Sequence, residues 1–143
     1  MNSELSPSKN TDRILLLARV LMASLFVFSG TEGIFRYWDA VAFATSFGVP
    51  WAGALFWIVI LFELSAGAML ITGCYARVAA GGLFAWVMWT GPWFHRFWQW
   101  HVGQPMWQDM VDGFFHHYVM AGGFLYIVAL GPGRLVLFSR AKP

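Results

Sequence analysis

Four long apolar stretches, separated by segments that contain charged or turn-forming residues, organise this sequence. The stretches cover residues 14–37, 51–73, 76–94 and 114–130. A helix needs about 20 mostly apolar residues to cross the hydrocarbon core of a bilayer, and each stretch comes close to that length. The pattern therefore predicts an all-α, polytopic membrane protein in which four transmembrane helices form a bundle.

The segments between the stretches indicate how neighbouring helices are connected. Cys74 and Tyr75 leave little more than a turn between the second and third stretches, so these helices should form an antiparallel hairpin. Residues 38–50 are half apolar and long enough for a short interfacial helix between the first two spans. The longest link precedes the fourth stretch and is rich in tryptophan and histidine.

Composition agrees with a single membrane domain. The chain of 143 residues is 59% hydrophobic and only 11% charged, with a mean hydropathy of +0.60, whereas soluble domains are about 25% charged. Most of the surface should therefore face the lipid bilayer, and the net charge of +2 gives no reason to expect a nucleic-acid partner. We expect a membrane domain over residues 14–131, flanked by cytoplasmic tails at residues 1–13 and 132–143.

The distribution of basic residues predicts the orientation. In a four-span arrangement, one side carries Lys9, Arg13, Arg77, Arg134, Arg140 and Lys142. The opposite side carries only Arg36 and Arg96. Because basic residues are enriched on the cytoplasmic side, both termini should lie in the cytoplasm of a bacterial cell whose inner membrane holds the protein.

Glu63 lies near the centre of the second apolar stretch. A carboxylate at that depth costs roughly 2.5–3.5 kcal/mol on insertion scales, so it should face the bundle interior and have a partner. Ala66 and Gly67 would let another helix approach closely, and Arg19 or Arg36 of the first stretch could supply the partner. Two roles stay open: a buried ion pair, or a carboxyl that accepts protons or contacts a quinone.

A second polar group is expected at the outer end of the first stretch. Glu32 and Arg36 are one helical turn apart with the acid first, which suits an ion pair within the helix. Ser29 and Gly33 give a small-residue step on a nearby face that allows close helix packing. Arg19, Glu32, Arg36 and Glu63 are thus the candidate polar residues of the bundle interior.

His95, His116, His117 and Trp98 fall in the same outer layer and, with Glu63, form a candidate quinone or proton site. Alternatively, the histidines anchor helix ends at the membrane surface, and the tryptophans form an interfacial belt. Haem fits less well than quinone, because no helix carries a His-x-x-x-His pair and no cysteine joins the set. No metal site is expected, and the single Cys74 excludes an intramolecular disulfide or a Cys-x-x-Cys pair.

Several short motifs, in order, resemble the DoxX family of small four-helix bacterial membrane proteins. They are F-x-F-S-G-T-E-G-I-F-R at residues 26–36, G-V-P at 48–50, E-L-S-A-G-A-M-L-I-T-G at 63–73 with Arg77 after it, His95-x-Phe97-Trp98, and A-G-G-F-L-Y-I-V-A-L-G-P-G-R at 121–134. Arg36 stands where the family commonly has lysine, and His116-His117 stand where it often has Lys-Asn. The resemblance covers nearly the whole membrane portion.

The resemblance implies a membrane subunit or partner of an oxidoreductase system, and related proteins are linked to quinone-coupled thiosulfate oxidation and to oxidative-stress complexes. We therefore expect a membrane subunit associated with a quinone-linked oxidoreductase, with other membrane subunits as partners. The alternative is a non-catalytic accessory or scaffold subunit of a larger membrane complex. The sequence does not decide whether the protein is itself an enzyme. A transporter is disfavoured because no span carries a broken-helix signal.

Overall fold

The computed structural model describes residues 9–137, and every regular element in that range is a helix. The elements are α1 (Lys9–Phe35), α2 (Tyr37–Ser46), α3 (Ala52–Thr72), α4 (Ala76–Phe94), a single 3-10 turn (Phe97–Gln99) and α5 (Pro105–Leu130). The predicted all-α class is confirmed. Residues 1–8 and 138–143, with most of the two predicted tails and the basic residues Arg140 and Lys142, lie outside the described residues.

Three of these helices, α1, α3 and α5, are long and apolar enough to cross a membrane. The remaining long helix, α4, has 19 residues, and its three tryptophans and three glycines lower its hydropathy. It runs back along α3 after the short turn at Gly73–Tyr75 and packs extensively along α5. Three of the four long helices are thus long and apolar enough to be membrane spans, and the fourth span stays a prediction.

Helix bounds differ from the apolar stretches at two places. α1 begins at Lys9 rather than at residue 14, and α5 begins at Pro105 rather than at residue 114. Hydropathy reports where a helix enters an apolar environment, whereas a helix can continue through polar residues. Pro105 occupies the first turn of α5, where its fixed φ and its missing N–H are tolerated. The short helix expected between the first two spans is present as α2, and its place at the membrane surface stays a prediction.

Glycines bring α1 and α3 into close contact. A Cβ atom added to Gly30 would lie 2.8 Å from Cγ of Leu64, and one added to Gly67 would lie 2.8 Å from Cγ2 of Val27. Helices in a bilayer associate through van der Waals packing, so close approach of backbones stabilises such a pair. The small residues expected to permit this contact, Gly33 and Gly67 among them, lie in it.

The buried core occupies the half of the bundle next to the α3–α4 turn. Phe26 of α1 and Phe124 of α5 meet there with ring centroids 5.6 Å apart. The other core residues are mostly small or aliphatic and come from all four long helices: Ala23, Ala66, Leu70, Ala76, Ala79, Ala80, Leu83, Val87, Ala121 and Ile127. This packed half leaves the opposite half of the bundle, towards α2, more open.

Charged residues join the chain ends to the core. Arg19 is only 1% exposed, and its guanidinium donates to the carbonyl oxygens of Leu70, at 3.3 Å, and of Leu135. Asp12 accepts hydrogen bonds from the backbone N–H of Arg134, at 3.2 Å, and from its Nε, at 2.9 Å. The last carbonyls of a helix lack their usual partners within the helix, and Arg19 joins the N–H of Gly73 as a donor to one of them, Leu70, at the end of α3. Arg19 also holds the segment after α5.

Candidate functional site

Glu63 is buried where α1, α3 and α4 meet. Its side-chain oxygen accepts a hydrogen bond of 3.2 Å from the indole Nε1 of Trp86, and the side chain of Ser29 lines the same cavity beside it. Only 8% of Glu63 is exposed. A carboxyl of the membrane interior is thus flanked by neutral polar side chains from two neighbouring helices.

Neither arginine expected as a partner of Glu63 fills that place in residues 9–137. Arg19 is committed to the carbonyls of Leu70 and Leu135, and Leu70 lies two helical turns, about 10 Å, along α3 from Glu63. Arg36 is exposed and pairs with Glu32 and Asp39, each at 3.2 Å. Of the two roles left open for Glu63, the buried ion pair is not formed among these residues, because both guanidiniums find acceptors nearer to their own depth, and the carboxyl accepts a hydrogen bond from the neutral indole of Trp86 instead.

Beside Glu63 lies a cavity of about 310 Å³, the inner cavity. Its walls are mainly aromatic and aliphatic, and its polar lining comes from Ser29, Glu63, Thr90 and His117, together with the indole of Trp86. Small-molecule sites are typically apolar cavities of roughly 300–1,000 Å³ with a few polar groups that orient the ligand. The inner cavity has this character.

A second cavity of about 370 Å³, the charged vestibule, adjoins the first. Its charged lining consists of Glu32, Arg36 and Asp39, all of them exposed. The two cavities share four lining residues, Ser29, Ala40, Phe43 and Phe56. Ser29 therefore lies between the exposed residues of the charged vestibule and the buried carboxyl of Glu63.

His117 is the one histidine that lines the inner cavity. Its Nδ1 lies 2.8 Å from the carbonyl oxygen of Gly113, which can only accept a hydrogen bond. Nδ1 therefore carries a proton, and Nε2 is an acceptor whenever the ring is neutral. Close packing positions this ring, since a Cβ atom added to Gly91 of α4 would lie 2.9 Å from the Cβ of His117.

The other predicted histidines stand further from the cavity. The ring of His95 contacts that of His117 with centroids 5.0 Å apart, and its buried Nδ1 has no hydrogen-bond partner among the described residues. Burial, and then the nearby charges of His117 and His116, lower the pKa of His95 below its ordinary value. His116 is exposed on α5 and is not part of the cavity lining.

The sequence pointed to Trp98 as a site residue, but in the structure Trp86 is the tryptophan that contacts Glu63. Trp98 is 55% exposed and packs on Phe97 and Phe114, away from the inner cavity. Trp86, which sequence reasoning did not single out, donates to Glu63. The α3–α4 hairpin carried a usable signal, because Glu63 and Trp86 lie at nearly equal distances from its turn and so at the same depth.

The polar residues of this region do not form an evident metal centre. Among residues 9–137, no three histidine, cysteine, aspartate or glutamate side chains come close enough to hold a metal ion. What the arrangement offers instead is a set of hydrogen-bonding groups around an aromatic-walled cavity: a carboxyl, two hydroxyls and an imidazole. Such a set can orient a flat polar ligand and can hold or release protons.

Comparison with known proteins places these observations in a family context. A family model described as DoxX matches residues 14–96, a range that includes Ser29, Glu63 and Trp86. The chain is 24% identical to Inner membrane protein YphA of Escherichia coli (strain K12) over 127 residues, which is 89% of each protein. It is 29% identical to Inner membrane protein YqjF of the same organism over 119 residues, or 83% of this chain and 85% of the relative. No solved structure matches the chain.

Proposed function

The chain belongs to the DoxX family of membrane proteins, and from that premise we propose that it is a membrane subunit of a quinone-linked oxidoreductase system. In this proposal the quinone headgroup occupies the inner cavity. One observation carries it: a buried carboxyl, Glu63, is held by a neutral donor at the edge of an aromatic-walled cavity. Since both curated relatives are named as inner membrane proteins, we also propose the inner membrane as the location.

The polar groups of the inner cavity suit a quinone chemically. A quinone carries two electrons and two protons, presenting carbonyl oxygens when oxidised and hydroxyl groups when reduced. Glu63 and Nε2 of His117 can accept hydrogen bonds from hydroxyl groups, whereas the Ser29 hydroxyl can donate to a carbonyl oxygen. Both redox forms therefore find partners of the right type.

The cavity walls support the same assignment. Phe26, Phe43, Phe56 and Phe94 contribute aromatic rings to the lining, and their apolar surfaces exclude water from the polar groups. Aromatic rings pack favourably in offset or edge-to-face arrangements, which suits a flat conjugated ligand. In this setting, the few polar side chains determine how the ligand is oriented.

The absence of a cationic partner at Glu63 within the described residues supports a proton-handling role over a purely structural one. A guanidinium in contact with the carboxyl would hold it in one charge state. The hydrogen bond from Trp86 can be kept in either state. Ser29 lines both the charged vestibule and the inner cavity, so its hydroxyl is the polar group through which a proton would pass between the exposed carboxylates and Glu63.

Retention of native quinone tests the proposal. The protein is purified from its native membrane in lipid nanodiscs, and bound quinone is extracted and quantified by chromatography. The wild type should retain close to one quinone per chain, and Glu63→Gln should retain about tenfold less. A hydrogen bond to a charged group contributes roughly 1.5–3 kcal/mol, and 1.4 kcal/mol corresponds to tenfold in binding.

Glu32→Gln is the matched control, because it makes the same chemical change at an exposed carboxylate of the charged vestibule. It should retain quinone like the wild type. Normal retention by Glu63→Gln would remove Glu63 from the proposed role. If the wild type itself retains no quinone and is recovered only within a larger assembly, the accessory-subunit alternative replaces the proposal.

A further inference from the structure

A third space, the lateral groove, opens on the face of the bundle formed by α3, α4 and the loop before α3. Its volume is about 490 Å³. The residues that line it, but not the inner cavity, are apolar or aromatic and include Val49, Pro50, Leu55, Ile58, Trp89 and Trp93. It is therefore the apolar counterpart of the charged vestibule.

The lateral groove adjoins the inner cavity. Both are lined by Phe56, Val59, Trp86, Thr90 and Phe94, and by Ala44 of α2. The inner end of the groove thus reaches the indole of Trp86, which donates to Glu63. At the other end, Ile58 is 63% exposed and Trp89 is 67% exposed.

The exposed end of the groove faces lipid. Ile58 lies nearly two turns inside α3, which is long and apolar enough to span the membrane. In a bilayer, an exposed isoleucine at that position contacts acyl chains. The inner cavity therefore has two exits of opposite chemistry, a charged one through Glu32, Arg36 and Asp39 and an apolar one into the bilayer.

These two exits define the class of molecule that the site fits. We infer that the lateral groove holds the single apolar chain of the ligand whose polar headgroup lies in the inner cavity, and that the ligand enters from the bilayer. This inference rests on the proposed function for the headgroup and adds the tail site and the route. The occupant is one linear isoprenoid or alkyl chain, because the groove has only about 490 Å³ of space and the lining that it does not share with the inner cavity is apolar.

The physical role of the groove follows from its surroundings. A chain that moves from lipid into an apolar groove gains little hydrophobic free energy, since both environments exclude water. The groove instead avoids an unfavourable placement of the chain. Without it, a ligand whose headgroup lies beside Glu63 would have to place its apolar chain in the charged vestibule. Blocking the groove should therefore weaken binding of a tailed ligand and spare a ligand that has no tail.

Two quinones that share a headgroup make the test. The probes are 2,3-dimethoxy-5-methyl-1,4-benzoquinone and its derivative with a decyl chain, and binding to the protein in nanodiscs is quantified by extraction, with empty nanodiscs as the blank. Leu55→Trp places a larger side chain in the groove at a residue that does not line the inner cavity. It should lower the affinity for the decyl quinone about tenfold and leave the affinity for the tailless quinone within about twofold of the wild type.

Leu61→Trp is the matched control, since Leu61 is 66% exposed on the same helix and lines none of the three spaces. It should change neither affinity. Ile58→Trp is a second blocking variant at an exposed position, so the test does not depend on Leu55→Trp folding normally.

The outcomes separate the two proposals. If the wild type binds neither quinone, the proposed function fails and the tail site with it. If the wild type binds the tailless quinone but both blocking variants bind the decyl quinone normally, only the tail site is overturned. Two further results would overturn the tail site. One is an equal loss of affinity for both quinones in the blocking variants. The other is the loss of a co-purified two-chain phospholipid from these variants without a change in decyl-quinone affinity.

Discussion

Arg19, within α1, and Arg36, directly after α1, satisfy different groups and should contribute differently to stability. Arg19 is buried and donates to backbone carbonyls from two other parts of the chain, the end of α3 and the segment after α5. Arg36 is exposed at the junction of α1 and α2, and its partners are the carboxylates of Glu32 and Asp39. Exposed ion pairs contribute little to stability, whereas unsatisfied buried carbonyls are costly.

We therefore expect Arg19→Met to lower the free energy of unfolding by about 2 kcal/mol, because it removes the guanidinium that links the carbonyls of Leu70 and Leu135. Leu70 keeps the N–H of Gly73 as a donor, whereas Leu135 loses the donor that Arg19 supplies. Denaturant titration of the purified protein in a single detergent measures the change. Arg36→Met, the same substitution at an exposed site, should leave the titration midpoint nearly unchanged. Equal effects of the two substitutions would contradict the capping role of Arg19.

The contacts of single side chains also explain why Glu63 can lie in the bundle interior. Trp86 of α4 donates a hydrogen bond and Ser29 of α1 lines the same cavity, so the carboxyl has neutral polar neighbours from different helices and needs no counter-charge. Neither partner is adjacent to it in the sequence. The hairpin between α3 and α4 brings Trp86 to its depth, and the close contact between α1 and α3 brings Ser29.

At the scale of the helices, the contact between α1 and α3 keeps this site together. Gly30 of α1 faces Leu64 and the backbone of Ile60, both close neighbours of Glu63 along α3. Ser29 is the residue immediately before Gly30. Any side chain that separates α1 from α3 at this point should therefore also move Ser29 away from Glu63.

Gly30→Leu should lower both stability and quinone retention, because its Cβ alone would lie 2.8 Å from Cγ of Leu64. Overpacking of this kind typically costs about 1–3 kcal/mol. Gly81→Leu is the control: the same change on α4 meets no atom within 4 Å. The thermal midpoint and the extracted quinone of both variants are compared with the wild type, and a Gly30→Leu protein that matches Gly81→Leu in both would refute the close-contact argument.

At the scale of the whole molecule, the number of spans determines the orientation of the chain ends. An even number places both termini on one side of the membrane, whereas three spans would place them on opposite sides. α4 is the helix in question, since its tryptophans and glycines reduce its hydropathy although it packs between α3 and α5. The basic residues favour the even number, with both ends in the cytoplasm.

Reporter fusions test this arrangement. A fluorescent protein fused after Pro143 should fluoresce and alkaline phosphatase at that place should be inactive, because the first folds in the cytoplasm and the second only outside it. Alkaline phosphatase inserted at Gly103, in the link before α5, should be active. An active phosphatase after Pro143, together with an N-terminal fluorescent fusion that fluoresces, would show that α4 does not cross the membrane.

Much of the helical frame could be predicted from the sequence, because hydropathy and helix length are local properties. The positions of α1, α3 and α4 followed from apolar runs, and Cys74-Tyr75 indicated the hairpin. The beginning of α5 could not be predicted from an apolar run, because Gln108, Asp109 and Asp112 lie in the helix although they are polar. For the site, Glu63 was identified from its burial cost alone, and His117 from its place at the start of the fourth apolar stretch.

The sequence by itself determined that this chain is a bundle of apolar helices with a carboxyl in its interior, since a carboxyl at the centre of a long apolar run is too costly to leave facing lipid. Only the tertiary structure decided what meets that carboxyl. Trp86 took the place of the expected arginine, Arg19 instead donates to a carbonyl near the end of α3, and Trp98 lay apart from the cavity. The reason is geometric: partners come from other helices, and their depth and rotation are set by packing rather than by local pattern.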